Sequence, residues 1–156
     1  MLKKLCDYLD KHNIRYLTMR HSPAITAQEI AEAAHIHGQE FAKTVIVNLD
    51  GNLVMAVLPA SEKLDTDLLL TAGHGEKAEL AGESEFQNRF PECEVGAMPP
   101  FGNLFDMDVY IEESMTSNNN ITFNAGTHTE LIQMSMEDFL NLLQPSVVRI
   151  CKSYTE

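Results

Sequence analysis

Two apolar runs joined by a short turn place the strongest constraint on how this chain folds. Residues 41–49 and 53–58 are rich in β-branched and aliphatic side chains, and Asp50-Gly51-Asn52 lies between them. Strands that are separated by so short a polar turn pair antiparallel as a hairpin, and Pro59 ends the second strand. We therefore expect this hairpin at the centre of a sheet.

The remaining patterns predict helices interleaved with further short strands. Apolar spacing and start or stop signals indicate helices at 2–12, 65–71, 83–90 and 136–143, and a capping box at Thr26 and Glu29 indicates another that ends near Gly38. Strands are expected at 16–20, 109–111, 121–124 and 130–134. With 156 residues and 44% hydrophobic composition, the chain fits one domain, residues 1–156. The fold class is α/β of the α+β type, a curved, half-barrel-like sheet that is mixed and largely antiparallel, surrounded by helices.

Charge and composition exclude several classes of function. The net charge of −12 argues against broad contact with nucleic acid, and no DNA partner is expected. Residues 1–20 nevertheless carry five basic side chains against two acids, a local +3, so a polyanion would approach there unless this is simply a solvated helix face. There is no apolar run of eighteen residues and no secretory signal, which predicts a cytoplasmic protein without a membrane partner. The three cysteines are too far apart to form a disulfide framework or a metal motif.

The segment from Val95 to Gly102 combines extreme backbone freedom with extreme rigidity. Glycines admit unusual dihedral angles, whereas two consecutive prolines fix their own and lack N–H groups. The segment contains Gly96, Ala97, Met98, Pro99, Pro100, Phe101 and Gly102. Such a loop can hold open amide groups toward a ligand, or it can be a tight connection between two strands.

Lys43 lies inside an otherwise uncharged run. Period-two alternation places it on the same face as Phe41, Val45 and Val47. An ammonium at the edge of an apolar cavity is costly unless it meets an anion, although a lysine at a strand end can also extend into solvent. His128, in a polar turn with Gly126 and Thr127, either faces a pocket or belongs to ordinary surface.

No cofactor or metal is expected. His35 and His37 are two residues apart, but no third ligand follows at useful spacing, so a metal-dependent hydrolase is the weakest alternative. The chain also lacks the GxSxG, HExxH, P-loop and GxGxxG signatures. These absences favour a cofactor-free site built from backbone amides.

Three segments in this order resemble the YbaK family, also called the prolyl-tRNA synthetase associated editing domain. They are Phe41-Ala42-Lys43-Thr44-Val45, Gly96 through Gly102, and Phe123 through His128, and the similarity runs over nearly the whole chain, from His21 to the final helix. The resemblance implies a free-standing, trans-acting aminoacyl-tRNA deacylase, which hydrolyses the ester between a wrong amino acid and the terminal ribose of tRNA. The implied partner is the tRNA acceptor end, with a synthetase as a further partner that could deliver it.

Site residues carry over from the family position by position. The resemblance implies that Lys43 and Gly96 are catalytic, with Gly96 amides stabilising an oxyanion and Lys43 holding a phosphate or ribose. The implied substrate-binding residues are His21, Thr44, Ala97, Met98, Pro99, Pro100, Phe101, Gly102, Gly126, Thr127 and His128. The family's Asp-Glu-Ser appears here as Glu112-Glu113-Ser114, and Glu112 is given no catalytic part. The substrate's own ribose hydroxyl would activate the water. The alternative is a non-catalytic aminoacyl- or nucleotide-binding module of the same fold.

Overall fold

Four helices and eight strands make up the part of the chain that the structure describes. The structure is a computed structural model, and it describes residues 1–22 and 38–152. The helices are α1 (Lys3–Lys11), α2 (Thr66–Ala72), α3 (Glu83–Phe86) and α4 (Met136–Leu143). The strands are β1 (Tyr16–Arg20), β2 (Ala42–Leu49), β3 (Asn52–Pro59), β4 (Ala78–Leu80), β5 (Val109–Glu112), β6 (Asn120–Asn124), β7 (Glu130–Ser135) and β8 (Ser146–Val148). Short 3₁₀ turns occupy Gly38–Glu40, Gln87–Arg89, Gly102–Leu104 and Glu113–Ser117.

The strands form two sheets that meet at one point. A three-stranded antiparallel sheet has the order β1-β7-β6, and a five-stranded mixed sheet has the order β4-β2-β3-β5-β8. In the second sheet the pairs β3–β5 and β5–β8 are parallel, while β2 pairs antiparallel with β3 and β4. A parallel bridge between Phe41 and Thr122 links the start of β2 to β6. Together the strands are thus mixed and largely antiparallel, and the bridge at Phe41 continues one sheet into the other, as the sequence predicted.

The hairpin lies in the interior of the larger sheet, as expected. β2 and β3 are interior strands of the larger sheet, and Lys43 lies opposite Leu58 while Thr44 lies opposite Val57. Gly51 in the turn has φ +89°, a value that suits glycine because L side chains are disfavoured there. Side chains alternate along β2, so Ala42 and Ile46 enter the main core and Val47 and Leu49 enter a second one.

Aromatic side chains fill the main core between the two sheets, α1 and α4. Phe101 is fully buried, with ring centroids 5.5 Å from both Phe123 and Phe139. Leu5 and Leu9 on α1 pack into the same cluster at the helical spacing seen in the sequence. The second core lies on the other face of the larger sheet, where Leu69 of α2 and Ile150 are fully buried.

Most of the predicted elements are confirmed, with a few corrections. The helix expected at 83–90 is a single turn, α3, followed by a 3₁₀ turn before Pro91. The edge strands β4 and β8 were missed, because each has three residues and gains its structure only by pairing with a longer neighbour. The helix expected to begin at Thr26 lies outside the described residues. Within the described residues, no helix has the length and apolar character needed to span a bilayer.

Candidate active site

Hydrogen bonds join the Gly96 loop to the turn that carries His128. The N–H of Gly126 donates to the carbonyl of Ala97 at 3.0 Å, and the N–H of Glu94 donates to the carbonyl of Gly126 at 2.8 Å. The Glu94 carboxylate accepts from the N–H of His128 at 3.0 Å, and Nε2 of His128 donates to the carbonyl of Val95 at 2.6 Å. Two segments more than twenty residues apart in sequence therefore form one rigid unit.

Gly96 occupies a backbone conformation that suits glycine and lies directly beside His128. Its φ is +83°, and a Cβ built there would lie 3.3 Å from Cε1 of the His128 ring. In the described part of the chain, nothing accepts a hydrogen bond from the N–H of Gly96 or of Met98. Gly96 is exposed, so its amide is accessible as a donor to a ligand, which is the chemistry of an oxyanion hole.

The rest of the loop is anchored in the core. Gly96 is exposed, whereas Ala97, Met98, Pro99, Pro100, Phe101 and Gly102 are all buried. A Cβ at Gly102 would lie only 2.3 Å from the carbonyl oxygen of Met107, so this glycine permits close backbone packing. Substrate contact by these buried residues stays a prediction, and their side chains fix the shape of the loop.

The parallel bridge brings the strand of Lys43 alongside the strand that leads into the His128 turn. Phe41 bridges Thr122, and parallel strands advance together, so Lys43 stands two residues beyond the bridge on β2 as Asn124 does on β6. Lys43 is partly buried, and no described residue pairs with its ammonium. No hydrogen bond or ion pair links it directly to the Gly96 loop within the described ranges, which leaves it free for a ligand.

Lys43 and Thr44 face opposite sides of the sheet. Thr44 shares its side with Ala42 and Ile46, which belong to the main core, and is itself partly exposed. Lys43 shares its side with Phe41, which packs on Leu131, Met19 and Ala60. Of these two predicted site residues, Lys43 is the one that faces the outer surface of the smaller sheet.

His21 lies next to the His128 turn. Its N–H donates to the carbonyl of Thr129 at 2.9 Å, which continues the β1–β7 ladder by one residue. Nδ1 of His21 is 2.9 Å from the carbonyl oxygen of Ser22, and Nε2 is buried without a hydrogen-bond partner in the described structure. The structure thus brings His21 to the same turn as Gly126 and Thr127.

The buried carboxylate of Glu130, which the sequence analysis did not single out, holds the turn that carries His128. Glu130 accepts hydrogen bonds from the Met1 amino group and from the Thr127 hydroxyl, the latter at 3.1 Å, and pairs with Arg20 at 3.3 Å. The hydrogen bond from the Met1 amino group is the main cause that holds the pKa of Glu130 below its usual value. Glu94 was missed as well, since a single glutamate in a polar loop has no distinguishing spacing.

Glu112 holds the backbone of residues 150 and 151 against β5. Its carboxylate accepts from the N–H groups of Ser114, Ile150 and Cys151 at 2.9, 2.8 and 3.1 Å. Burial would raise the pKa of Glu112, but these amide hydrogen bonds outweigh it and leave the pKa below its usual value. The Glu112 carboxylate therefore fixes how residues 150–151 dock on β5.

A separate cavity of about 1250 Å³ lies at the other end of the β2–β3 hairpin. Its described lining carries four carboxylates, Asp50, Glu85, Asp106 and Asp108, against the single basic side chain of Arg89. Such a surface repels phosphates, so its size alone does not make it the site for a polyanionic substrate. In the described ranges, no three histidine, cysteine or acidic side chains lie close enough to hold a metal, and His35 and His37 fall outside those ranges.

Comparisons with known proteins identify relatives of this chain. The family model described as "Aminoacyl-tRNA editing domain" matches residues 21–142. A curated relative, the multifunctional Ser/Thr-tRNA deacylase ProXp-y of Escherichia coli strain K12, is 23% identical over 151 residues, which cover 94% of this chain and 90% of the relative. The protein of the same name from Escherichia coli O157:H7 gives the same figures.

Solved structures share the fold at low sequence identity. The hypothetical protein APE2540 superposes with a TM-score of 0.84 at 17% identity, covering 96% of this chain and all of the other. A protein provisionally described as a trans-editing enzyme for prolyl-tRNA synthetase superposes with a TM-score of 0.83 at 16% identity, covering 97% of this chain and 96% of the other. The expected fold and the expected deacylase activity on aminoacyl-tRNA are confirmed. Because the family model matches more than three quarters of the sequence, the chain belongs to the aminoacyl-tRNA editing domain family.

Proposed function

We propose that this protein hydrolyses the ester of mischarged tRNA where the Gly96 loop meets the His128 turn. The observation that carries this proposal is the pair of amides at Gly96 and Met98 that donate to no described residue, on a loop fixed by hydrogen bonds to Gly126 and His128. Preorganised amides stabilise the developing oxyanion more than they stabilise the ground-state carbonyl, because they need no reorganisation when charge develops. An activated ester needs little else beyond positioning and a water molecule.

Three titratable groups at the Gly96 loop and the His128 turn are already engaged, which favours a substrate-assisted reaction. Glu94 accepts from His128 N–H, Glu130 accepts from Thr127, and Nε2 of His128 is bonded to Val95. None of these three is free to act as a general base without breaking a contact that holds the turn. The ribose hydroxyl of the terminal nucleotide would then orient or activate the attacking water.

Lys43 is proposed to bind the substrate and not to transfer a proton. Lys43 is partly buried and lies beside the strand that leads into the His128 turn, and its ammonium has no partner among the described residues. A cation in that position fits a phosphate or ribose oxygen of the terminal nucleotide. The His128 ring, exposed and fixed by its hydrogen bond to Val95, would close one side of the aminoacyl pocket.

The basic N-terminal helix provides a route for tRNA to reach the site. The N–H of Leu2 donates to the carbonyl of Ala125 at 2.9 Å, so α1 begins directly against the His128 turn. All three lysines of α1 are exposed, but the Lys4 ammonium donates to the carbonyl of Leu104 at 2.8 Å and lies over the Phe105 ring, whereas Lys3 and Lys11 make no such contact with a described residue. Lys3 and Lys11 are therefore the better candidates for acceptor-stem phosphates. A synthetase could deliver the substrate, and the cytoplasm is the compartment where charged tRNA is used.

The substrate class is proposed from the curated relative. That protein is named a deacylase of Ser- and Thr-tRNA, and this chain covers 90% of its length at 23% identity. We infer that seryl and threonyl esters are the first substrates to test.

Hydrolysis of a panel of charged tRNAs tests the function directly. The purified chain should deacylate at least one of the tRNAs charged with alanine, cysteine, serine, threonine or proline, with and without the matching synthetase present. Undiminished turnover in excess chelator would exclude the metal-dependent alternative with His35 and His37. If no charged tRNA is hydrolysed but a non-hydrolysable aminoacyl-adenosine binds, the chain is a binding module of this fold.

A further inference from the structure

His21 carries a buried nitrogen whose hydrogen-bonding capacity is unused. Nδ1 lies 2.9 Å from the carbonyl oxygen of Ser22, and a carbonyl can only accept, so Nδ1 carries the hydrogen. In the neutral ring that this tautomer defines, Nε2 is an acceptor. Nε2 is buried and has no donor in the described structure. A buried acceptor without a donor is destabilising, and such groups call for a specific explanation.

The ring lies on the surface where the site is proposed. The His21–Thr129 hydrogen bond continues the β1–β7 ladder, so His21 follows Met19 on one face of the strand. Met19 packs on Phe41 and Leu131. Lys43 on β2 follows Phe41 by two residues, so its side chain extends from the same side of the strand as that of Phe41. His21 and Lys43 thus face a common surface beside the His128 turn.

We propose that His21 selects aminoacyl groups that carry a side-chain hydroxyl, by accepting a hydrogen bond from it at Nε2. This inference rests on the proposed deacylase function and adds the residue that reads the amino acid. A serine or threonine hydroxyl supplies the missing donor, whereas an alanine ester leaves Nε2 unpaired. Sites built to bond a hydroxyl discriminate against analogues that lack it, because the site's own polar group then stays unsatisfied.

Other donors on the substrate fit the position less well. The α-ammonium and the ribose hydroxyls are common to every aminoacyl-tRNA, so a bond to either would give no selectivity. An ammonium would also lose its hydration to meet a single neutral acceptor that solvent does not reach, which is costly. A neutral hydroxyl loses much less on entering the same place.

The test compares seryl with alanyl substrates in three His21 variants. His21→Asn keeps a donor near the Nδ1 position but removes the acceptor, His21→Gln extends an amide toward the Nε2 position, and His21→Phe removes both. The ratio of kcat/KM for seryl-tRNA over alanyl-tRNA should fall about tenfold in His21→Asn and His21→Phe, the expected effect of losing one buried hydrogen bond. His21→Gln should recover part of the ratio.

A matched control exists at the end of α1. Nδ1 of His12 is 2.8 Å from the carbonyl oxygen of Tyr8, the same kind of contact on an exposed ring. His12→Asn should leave the seryl-to-alanyl ratio unchanged. Thermal unfolding of each variant shows whether the fold is retained.

Binding of non-hydrolysable seryl- and alanyl-adenosine amides, measured by calorimetry, separates this inference from the deacylase function. If the amides bind but no tRNA is hydrolysed, the deacylase proposal fails, and the seryl preference and its loss in His21→Asn still decide the role of His21. An equal loss for seryl and alanyl ligands would show that His21 contacts a part common to both, and would overturn the proposal. The absence of any seryl preference in the parent protein, or an unchanged ratio in His21→Asn, would also overturn it.

Discussion

Replacing Gly96 with alanine separates the catalytic contribution of this residue from its contribution to stability. Alanine at φ +83° incurs backbone strain of about 1–3 kcal/mol. The new Cβ would also stand 3.3 Å from Cε1 of His128, closer than an ordinary contact, so the loop or the ring must shift. Because the strain lies in the backbone of Gly96, the loop is expected to move, which turns the Gly96 amide away from the position where an oxyanion would form. Loss of one such donor lowers kcat by about 10²–10³.

Gly51 provides a matched control for the backbone strain. Its φ is +89°, close to that of Gly96, and a Cβ there would have no atom within 4 Å. Gly51→Ala should therefore destabilise the protein by a similar amount, about 2–4 °C in Tm for each kcal/mol, and leave kcat nearly unchanged. The two variants share the strain and differ in the contact with His128.

Single-turnover hydrolysis of a charged tRNA, with enzyme in excess, measures the chemical step. A Gly96→Ala protein that folds and hydrolyses the ester within about twofold of the parent rate would refute the oxyanion role, because a lost donor should cost far more. An equal loss of activity in Gly51→Ala would assign the effect to strain alone. A double-mutant cycle with His128→Ala shows how much of the loss arises from the contact between the two residues.

The other predictions concern the remaining charged groups. Lys43→Ala should raise KM for charged tRNA about tenfold in steady-state assays, since one charge-assisted contact is lost, and unchanged rates on every tRNA tested would remove Lys43 from the site. Glu94→Ala should lower kcat, because the N–H of His128 loses the carboxylate that accepts its hydrogen bond. Glu94→Gln keeps an acceptor and should retain most of the activity. Equal losses in both variants would show that the negative charge of Glu94 matters and not its hydrogen bond. The pKa of Glu112 is lower in the folded state than its value of about 4.3 in the unfolded state. Glu112 therefore stabilises the fold at pH values above about 4.3, and this stabilisation is lost as the pH falls through the pKa of the folded state. In Glu112→Gln, Tm should be lower at pH 7 and should fall less steeply below pH 4 than in the parent, and parallel Tm profiles would contradict this. Reversing the charge of Lys3 and Lys11 together should raise KM for tRNA and weaken its salt dependence, and an unchanged KM would exclude α1 from the interface.

Features that depend only on residues close together in sequence could be predicted from the sequence. The alternation in residues 41–47 placed Lys43 on the face of Phe41, and the structure agrees, because period-two geometry within one strand needs no knowledge of its neighbours. Likewise the N-cap at Ser135 accepts from the N–H of Asp138 at 3.0 Å, so the start signal for α4 was recognised although aspartate replaced the usual glutamate.

What depends on distant partners could not be predicted. Glu94 and Glu130 hold the His128 turn, yet each contact spans strands or loops whose proximity arises only when the sheet closes. The orphan nitrogen of His21 is likewise invisible in sequence, since it depends on one tautomer and on the burial of one atom. The family resemblance pointed to the Gly96 loop and the His128 turn, but the hydrogen bonds that make them one unit are a property of the tertiary fold.

The uneven distribution of charge reconciles a net charge of −12 with a polyanionic substrate. The basic helix α1 begins against the His128 turn, through the bond from Leu2 to Ala125. The acidic cavity lies at the turn of the β2–β3 hairpin, about 20 Å from Lys43 along an extended strand of seven residues. That distance is about two Debye lengths at physiological salt, so the acidic end is largely screened from a ligand held at Lys43. At lower salt, where screening is weaker, the charge difference between basic α1 and the acidic cavity would turn the acceptor end of an approaching tRNA toward α1 and away from the cavity. The net negative charge therefore argues against an extensive interface with tRNA. It is compatible with a protein that binds only the aminoacylated end of the tRNA.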